Sequence, residues 1–280
     1  MSDALRKEEE DLSASGDGQN GADTTADRTV LPWRARNGGI QARAPKTALL
    51  VARRIVREIE RMELAPGDKL PPEKVMFQNY QVGRGTLREA LRFLELQGIL
   101  SLKPGPGGGP VVERPDASNL ATLLVLLLQF SDARYQSVVE ARSGLEPIMA
   151  ELAARRITPE GLADLAESVS TMERHLNDHS VFLEANRRFH DIIAWSSGNA
   201  LFGYLVDALI GVLDGTALGI EYPAHRRGPI LKAHQRIYLA LEQHDPDAAR
   251  EAMREHIGEY VRYAERKFPE VLKRRVIWET

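Results

Sequence analysis

Residues 70–112 read LPPEKVMFQNYQVGRGTLREALRFLELQGILSLKPGPGGGPVV. Pro71-Pro72-Glu73 open a short helix, with prolines before and within its first turn, where a missing N–H costs nothing. That helix is expected to run to about Tyr80, and Gln81-Val82-Gly83 forms a tight turn. A longer helix is expected from Arg84 to about Gln97, closed by Gly98. Leu87, Ala90, Leu91 and Leu94 make its apolar stripe, and Arg84, Arg88, Arg92 and Glu95 occupy the opposite face. Ile99–Leu102 and Val111-Val112 then read as two short strands around a loop rich in glycine and proline.

Upstream, Ala48, Ala52, Ile55, Ile59 and Met62 recur at spacings of three and four, one helical stripe that Pro66-Gly67-Asp68 stops. Residues 45–114 thus form helix, helix, turn, helix, hairpin: a winged helix-turn-helix. Residues 1–44 are rich in Ser, Gly, Asp and Thr with no sustained apolar period, and disorder is expected there, with Trp33 as a local anchor at most. Residues 115–270 read as six or seven helices punctuated by Pro159, Gly198-Asn199, Pro223, Gly228-Pro229 and Asp245-Pro246. Residues 271–280 read as a C-terminal tail. The fold class is mainly α: a winged helix-turn-helix followed by an all-α bundle.

Charge is segregated. The chain of 280 residues has a net charge of −3, but residues 45–114 carry 12 Lys and Arg against 8 Asp and Glu, net +4. The remainder of the C-terminal part carries 19 against 24, net −5. A positive segment of this kind suits DNA. There is no cysteine, which excludes disulfides and thiolate chemistry and suits a reducing cytoplasm. Residues 1–30 hold no apolar h-region. The longest apolar run, Leu120 to Phe130, is 11 residues, short of the ~20 that span a bilayer. It is expected to be a buried helix or an oligomer contact, so no membrane partner is expected.

Arginine reads guanine bidentately, and base contacts come from the N-terminal part of a recognition helix. Arg84 and Arg88 stand there one turn apart, with Thr86 beside them; Arg92 and Lys74 are placed for phosphates. A solvated basic face is the alternative for an isolated amphipathic helix, but here turn, wing and local charge agree. The glycines at 105 and 107–109 lack the Gly-Lys-Ser/Thr ending of a phosphate-binding loop.

The stretch resembles the winged helix-turn-helix of GntR-type regulators, roughly L-P-S-E-R, then V-S-R-T-P-V-R-E-A-L-x-x-L-x-x-x-G-L, then a glycine-bearing wing. The resemblance implies that Arg84 and Arg88 contact operator bases and that Gly105 approaches the minor groove. Gly83 and Gly85 stand where a hydroxyl residue is usual, and Lys74 replaces a frequent Arg. The resemblance therefore leaves two phosphate or base hydrogen bonds without their usual donors.

In the C-terminal half three histidines lie on helical apolar stripes. His190 and Asn186 share one with Phe182 and Ile193; His234 shares one with Ile230, Ile237 and Leu241; His256 shares one with Ala249, Met253, Tyr260 and Tyr263. Neutral imidazoles from several helices can converge on a zinc- or nickel-like ion. Each alone is more simply a hydrogen-bonded core histidine. His175, His179, His225 and His244 sit in polar or loop contexts and read as surface residues. Arg142 shares a stripe with Val138, Leu145, Met149 and Leu152 and so points inward. A buried guanidinium needs an anion, either an internal carboxylate such as Glu146 or Glu184, or a ligand's.

Residues 118–270 resemble the FCD ligand-binding domain of the FadR-type subfamily through VVEARSGLEPIMAELAA, NRRFHDIIAWSSGN, AHQRIYLAL and AMREHI. The resemblance implies Asn186, His190, His234 and His256 as ligands of a divalent metal and Arg142 as the carboxylate-binding arginine. Asn186 replaces the family's Asp, which implies weaker metal binding. The expectation is a homodimeric transcription regulator, a repressor, reading an inverted-repeat operator in double-stranded DNA and responding to a small carboxylate effector. The alternatives are a hydrolase-like metalloenzyme using the three-histidine site, and a purely structural metal. No HExxH motif, serine elbow or cysteine nucleophile is present for an enzyme.

Overall fold

The computed structural model describes residues 47–105, 107–213 and 215–277. The expected disorder of 1–44 and the role of Trp33 lie outside the described residues.

The N-terminal domain is built from α1 (Thr47–Arg61), α2 (Glu73–Tyr80), α3 (Arg84–Leu96), β1 (Leu100–Lys103) and β2 (Gly109–Val112). The apolar stripes meet in one small core of Ile55, Met76, Leu87, Leu91, Leu94, Leu100 and Val112. Met62, counted on the first stripe, lies past the end of α1 and is exposed. Gln81 closes α2 in the left-handed conformation, which makes the turn into α3. Gly98, with φ of +69°, turns α3 toward the wing, a geometry glycine adopts without steric cost. The strands pair antiparallel, Leu100 opposite Val112 and Lys103 opposite Gly109. Lys69 bridges Val111, so the segment before α2 ties down the base of the wing.

The C-terminal domain contains α4 (Ser118–Phe130), α5 (Tyr135–Arg156), α6 (Pro159–Arg174), α7 (His179–Ser196), α8 (Ala200–Leu213), α9 (Ala224–Glu242), α10 (Pro246–Lys267) and α11 (Pro269–Leu272). Several boundaries follow local rules. Thr158 and Asp245 cap α6 and α10 with their side chains, and a proline follows each at the first helical position. Asp178 accepts from the backbone N–H of Ser180 and Val181 at the start of α7. Gly228-Pro229 does not break the chain as expected. Pro229 lies inside α9, near its start, where losing one hydrogen bond disturbs few turns.

The core is a single cluster in which Tyr135, Met149, Phe182, Phe189, Ile193, Ile237 and Ile257 are nearly inaccessible. Of the two readings of the apolar run, the buried helix fails within this chain and the oligomer contact stays open: only Val125 of α4 is buried, while Leu123, Leu127 and Phe130 are exposed along one face at spacings of four and three. The supposed tail at 271–277 packs back, with Val276 1% exposed, its N–H donating to the Ala133 carbonyl, and Arg275 bridging Arg134. Enough apolar surface sits at Val271, Leu272 and Val276 to offset the entropy of ordering the end.

Asp191 on α7 is half-buried, and its Oδ1 has no hydrogen-bond partner. Burial, then the nearby Asp207, pushes its pKa up to about 6. A folded pKa above the unfolded value favours folding at low pH, and that advantage is lost as pH rises through about 6. Discounted for solvent screening, the penalty is about 1 kcal/mol at neutral pH. Asp191→Asn is therefore expected to raise the melting temperature by about 2–4 °C at pH 7.5 and to give no gain at pH 4. Calorimetry at the two pH values checks this; an equal gain at both contradicts it.

Candidate functional site

Two sites emerge. The first is the exposed face of α3 beside the wing. Arg84, Arg88 and Arg92 are all exposed on it, Thr86 is half-buried, and Lys74 is exposed on α2. Leu87, Ala90, Leu91 and Leu94 bury the other face, so packing fixes which way the arginines point. Arg84 rests over the Phe77 ring at 5.3 Å, and Arg88 Nε is 3.1 Å from Glu73 Oε2. Both contacts hold the side chains close to α2 without burying them. Gly83 precedes α3 and offers no side-chain cap. Gly105, in the wing loop, has φ of +92°, and a Cβ there would meet nothing within 4 Å. The backbone conformation, and not space inside the protein, calls for glycine at this position.

The second site lies in the helical domain. His190 from α7, His234 from α9 and His256 from α10 are all buried, and their ligand atoms lie within 4.8 Å of one another. His234 Nε2 is 3.1 Å from His256 Nε2, which is 3.4 Å from His190 Nε2. The rings are held from behind. Phe189 stacks on His234 at 4.0 Å and 5°, and His234 Nδ1 faces Met172 Sδ at 3.3 Å. Glu146 Oε2 sits 2.6 Å from His190 Nδ1. A carboxylate on the outer nitrogen turns the inner nitrogen toward the centre. Burial, then the neighbouring histidines, holds His234 well below the usual imidazole range; burial and His190 do the same for His256. Both rings are neutral near pH 7, the form that ligates a metal.

Arg142 on α5 is 6% exposed, and its Nε is 2.5 Å from Glu146 Oε1. Its guanidinium lies 5.2 Å from the Tyr260 ring centre. Burial opposes the charge on both partners, but each holds the other ionised: the Glu146 carboxyl stays below its ordinary range and Arg142 above its own. Glu184, the other candidate partner, is exposed and close instead to Arg187.

Arg142, Asn186, His190 and His256 share the lining of one cavity with Tyr222, Arg226, Ile230, Glu259, Tyr260 and Tyr263. The cavity is narrow, with about 20 Å³ of free space, and is partly open to solvent. Arg142 and Asn186 thus share a cavity with His190 and His256, and His234 joins those two histidines in the cluster without lining the cavity. Two residues were not anticipated in their roles. Glu146 was read as a partner for Arg142 but also orients His190; its position four residues after Arg142 was the available signal. Arg226 was not singled out, although it lies eight residues before His234 on the same stripe through Ile230. Of the histidines read as surface residues, His179, His225 and His244 are exposed and His175 is half-buried; none joins the cluster.

Comparisons with known proteins agree with this division. The FCD domain family matches residues 137–259, and the family of bacterial regulatory proteins called gntR matches residues 47–108. The chain is 31% identical over 207 residues to an uncharacterised HTH-type transcriptional regulator of Bacillus subtilis, YcbG, covering 74% of this chain and 85% of that protein. It is 26% identical over 218 residues to the HTH-type transcriptional repressor NanR of Salmonella newport, covering 76% and 83%. A solved GntR structure from Streptococcus agalactiae superposes with a TM-score of 0.64 at 29% identity, covering 78% of this chain and 99% of that one. These relatives are DNA-binding regulators and lend no support to a metallohydrolase. No helix among the described residues is long and apolar enough to cross a membrane. With a winged helix-turn-helix followed along the sequence by a helical domain, the chain belongs to the gntR family of transcription regulators and carries an FCD domain.

Proposed function

We propose that the protein is a homodimeric cytoplasmic repressor whose affinity for an inverted-repeat operator is set by a small carboxylate bound in the helical domain, beside a divalent metal. Arg84, Arg88 and Thr86 read bases, Lys74 and Arg92 hold phosphates, and the wing enters the minor groove at Gly105. Two copies related by a two-fold axis match two half-sites. The exposed Leu123, Leu127 and Phe130 of α4 supply an apolar stripe suited to such a dimer. The repressor sense is supported by the NanR relatives.

The observation that carries the ligand half is the spacing of the three Nε2 atoms. Zinc–nitrogen bonds of about 2.0–2.1 Å at tetrahedral angles set nitrogens about 3.3 Å apart. The two spacings here are 3.1 and 3.4 Å. His190, His234 and His256 would hold the ion, with the Asn186 carbonyl oxygen as a fourth, uncharged ligand. Bound there, a divalent ion supplies a Lewis-acidic anchor for a carboxylate. Arg142 offers the organic acid a second hold, although Glu146 already shares its charge. Coupling to DNA requires in addition that the acid have different affinities for two conformations of the protein.

Metal analysis of the purified protein tests the centre. About one equivalent is expected in the wild type and under a tenth of that in His234→Ala/His256→Ala. Equal content in both defeats the assignment. A mobility-shift assay on the upstream DNA, at stated salt, against a panel of organic acids tests the response.

A further inference from the structure

Resting on that reading, we infer that Arg226 is a second anion-binding residue of the cavity, and that the effector is therefore a dianionic small acid, of the dicarboxylate class. The inference rests on how each cation near the cavity is already committed. Arg142 is ion-paired to Glu146. Arg227, adjacent in sequence, is tied to the fold: Nε donates to the Tyr222 carbonyl at 3.1 Å, Nη1 to the Leu176 carbonyl at 2.8 Å, and Nη2 lies 3.1 Å from His179 Nδ1. Arg226 differs from both. It lines the cavity, its guanidinium lies 4.4 Å from the centre of the Tyr263 ring, and its Nε is buried with no hydrogen-bond partner. A buried charged donor without an acceptor is costly unless something supplies one. The aromatic face steadies the guanidinium but accepts none of its N–H groups as a carboxylate would. Tyr263 is itself anchored, its hydroxyl donating to the Glu221 carbonyl at 3.1 Å.

One carboxylate at the Arg142 and histidine part of the cavity and a second at Arg226 would use both cations that line it. Glu259 also lines the cavity but is exposed. Solvent screens its charge, and it makes no ion pair with Arg226 among the described residues. It disfavours an anion only modestly.

Calorimetric titration of the metal-loaded full chain tests this with acetate and succinate as probes, at constant ionic strength. Succinate is expected to bind the wild type at least tenfold more tightly than acetate. In Arg226→Gln that advantage should fall below twofold, with acetate affinity unchanged. An undiminished advantage in Arg226→Gln, or none in the wild type, overturns the inference. Circular dichroism and operator binding of Arg226→Gln establish that it is folded; if it is not, Arg226→Lys, which keeps the charge, must keep part of the advantage, and its complete loss there in a folded protein overturns the anion-binding role. Glu259→Gln should leave succinate binding equal or tighter. Weaker succinate binding there would contradict Glu259 acting as a like charge beside the second carboxylate and would overturn the placement of that carboxylate at Arg226. If the protein fails to bind operator DNA while succinate still discriminates through Arg226, the regulatory reading fails and this inference stands.

Discussion

Glu146→Ala is expected to destabilise the helical domain by about 3–5 kcal/mol, the cost of leaving a buried charge uncompensated. Glu146 Oε1 and Oε2 meet Arg142 and His190 at 2.5 and 2.6 Å, and all three side chains are at most 7% exposed. Removing the carboxylate strands the Arg142 guanidinium in the core. In a domain of this size the loss corresponds to about 10 °C in melting temperature. The double variant Arg142→Met/Glu146→Leu should recover most of it, because replacing a buried pair by apolar groups of similar volume is close to neutral. Chemical denaturation with urea separates the variants; a loss under about 1 kcal/mol for Glu146→Ala would show that the pair is already hydrated. The same variant should also lower metal affinity by about 10–100-fold, because His190 loses the group that orients it. Acid provides a second view. The Glu146 carboxyl is lowered in the fold, since Arg142 and His190 outweigh its burial. Its contribution is therefore complete above the unfolded value and is lost as pH falls toward the folded one. Wild-type stability should drop below about pH 4.3, and this part of the drop should be absent in Arg142→Met/Glu146→Leu.

Arg84→Ala and Arg88→Ala are each expected to cost about 1–3 kcal/mol of operator binding and to relax discrimination at the base pairs they face. Together they should weaken binding by about 10²–10⁴-fold. Lys74→Ala and Arg92→Ala should behave differently, weakening all DNA sequences alike and lowering the salt slope by about 1 each. Arg88 is engaged with Glu73 at 3.1 Å before DNA arrives, but with Arg88 69% exposed the pair is mostly in solvent. Breaking such a pair costs about 1 kcal/mol or less, so DNA can draw the arginine away. Glu73→Gln should accordingly raise operator affinity a few-fold. Quantitative shift assays on the upstream DNA and on a scrambled duplex, each at two salt concentrations, distinguish these outcomes. Equal losses on both duplexes for Arg84→Ala would make it a phosphate contact and remove it from base reading.

Much of this was legible without coordinates. Helix positions, the winged order, the basic face of α3 and the inward direction of Arg142 and three histidines follow from local rules. A 3.6-residue period, a capping Thr or Asp followed by proline, and a glycine at positive φ act within one or two turns. They need no knowledge of distant neighbours. The same locality explains what was not legible. A stripe says that a side chain points inward, not what it meets there. Packing of α7, α9 and α10 decided that the three Nε2 atoms converge. The i,i+4 spacing on α5 pairs Glu146 with Arg142, but only the α5–α7 contact decided that the same carboxylate also meets His190, while Glu184 stays exposed beside Arg187. Packing also decided that Arg227 is consumed by backbone carbonyls while its neighbour Arg226 keeps a buried, unpartnered Nε in the cavity. Apolar composition alone could not tell that α4 faces outward, nor that residues 271–277 fold back. Both depend on which surface the remaining helices leave uncovered, a property of the assembled bundle and of no single segment.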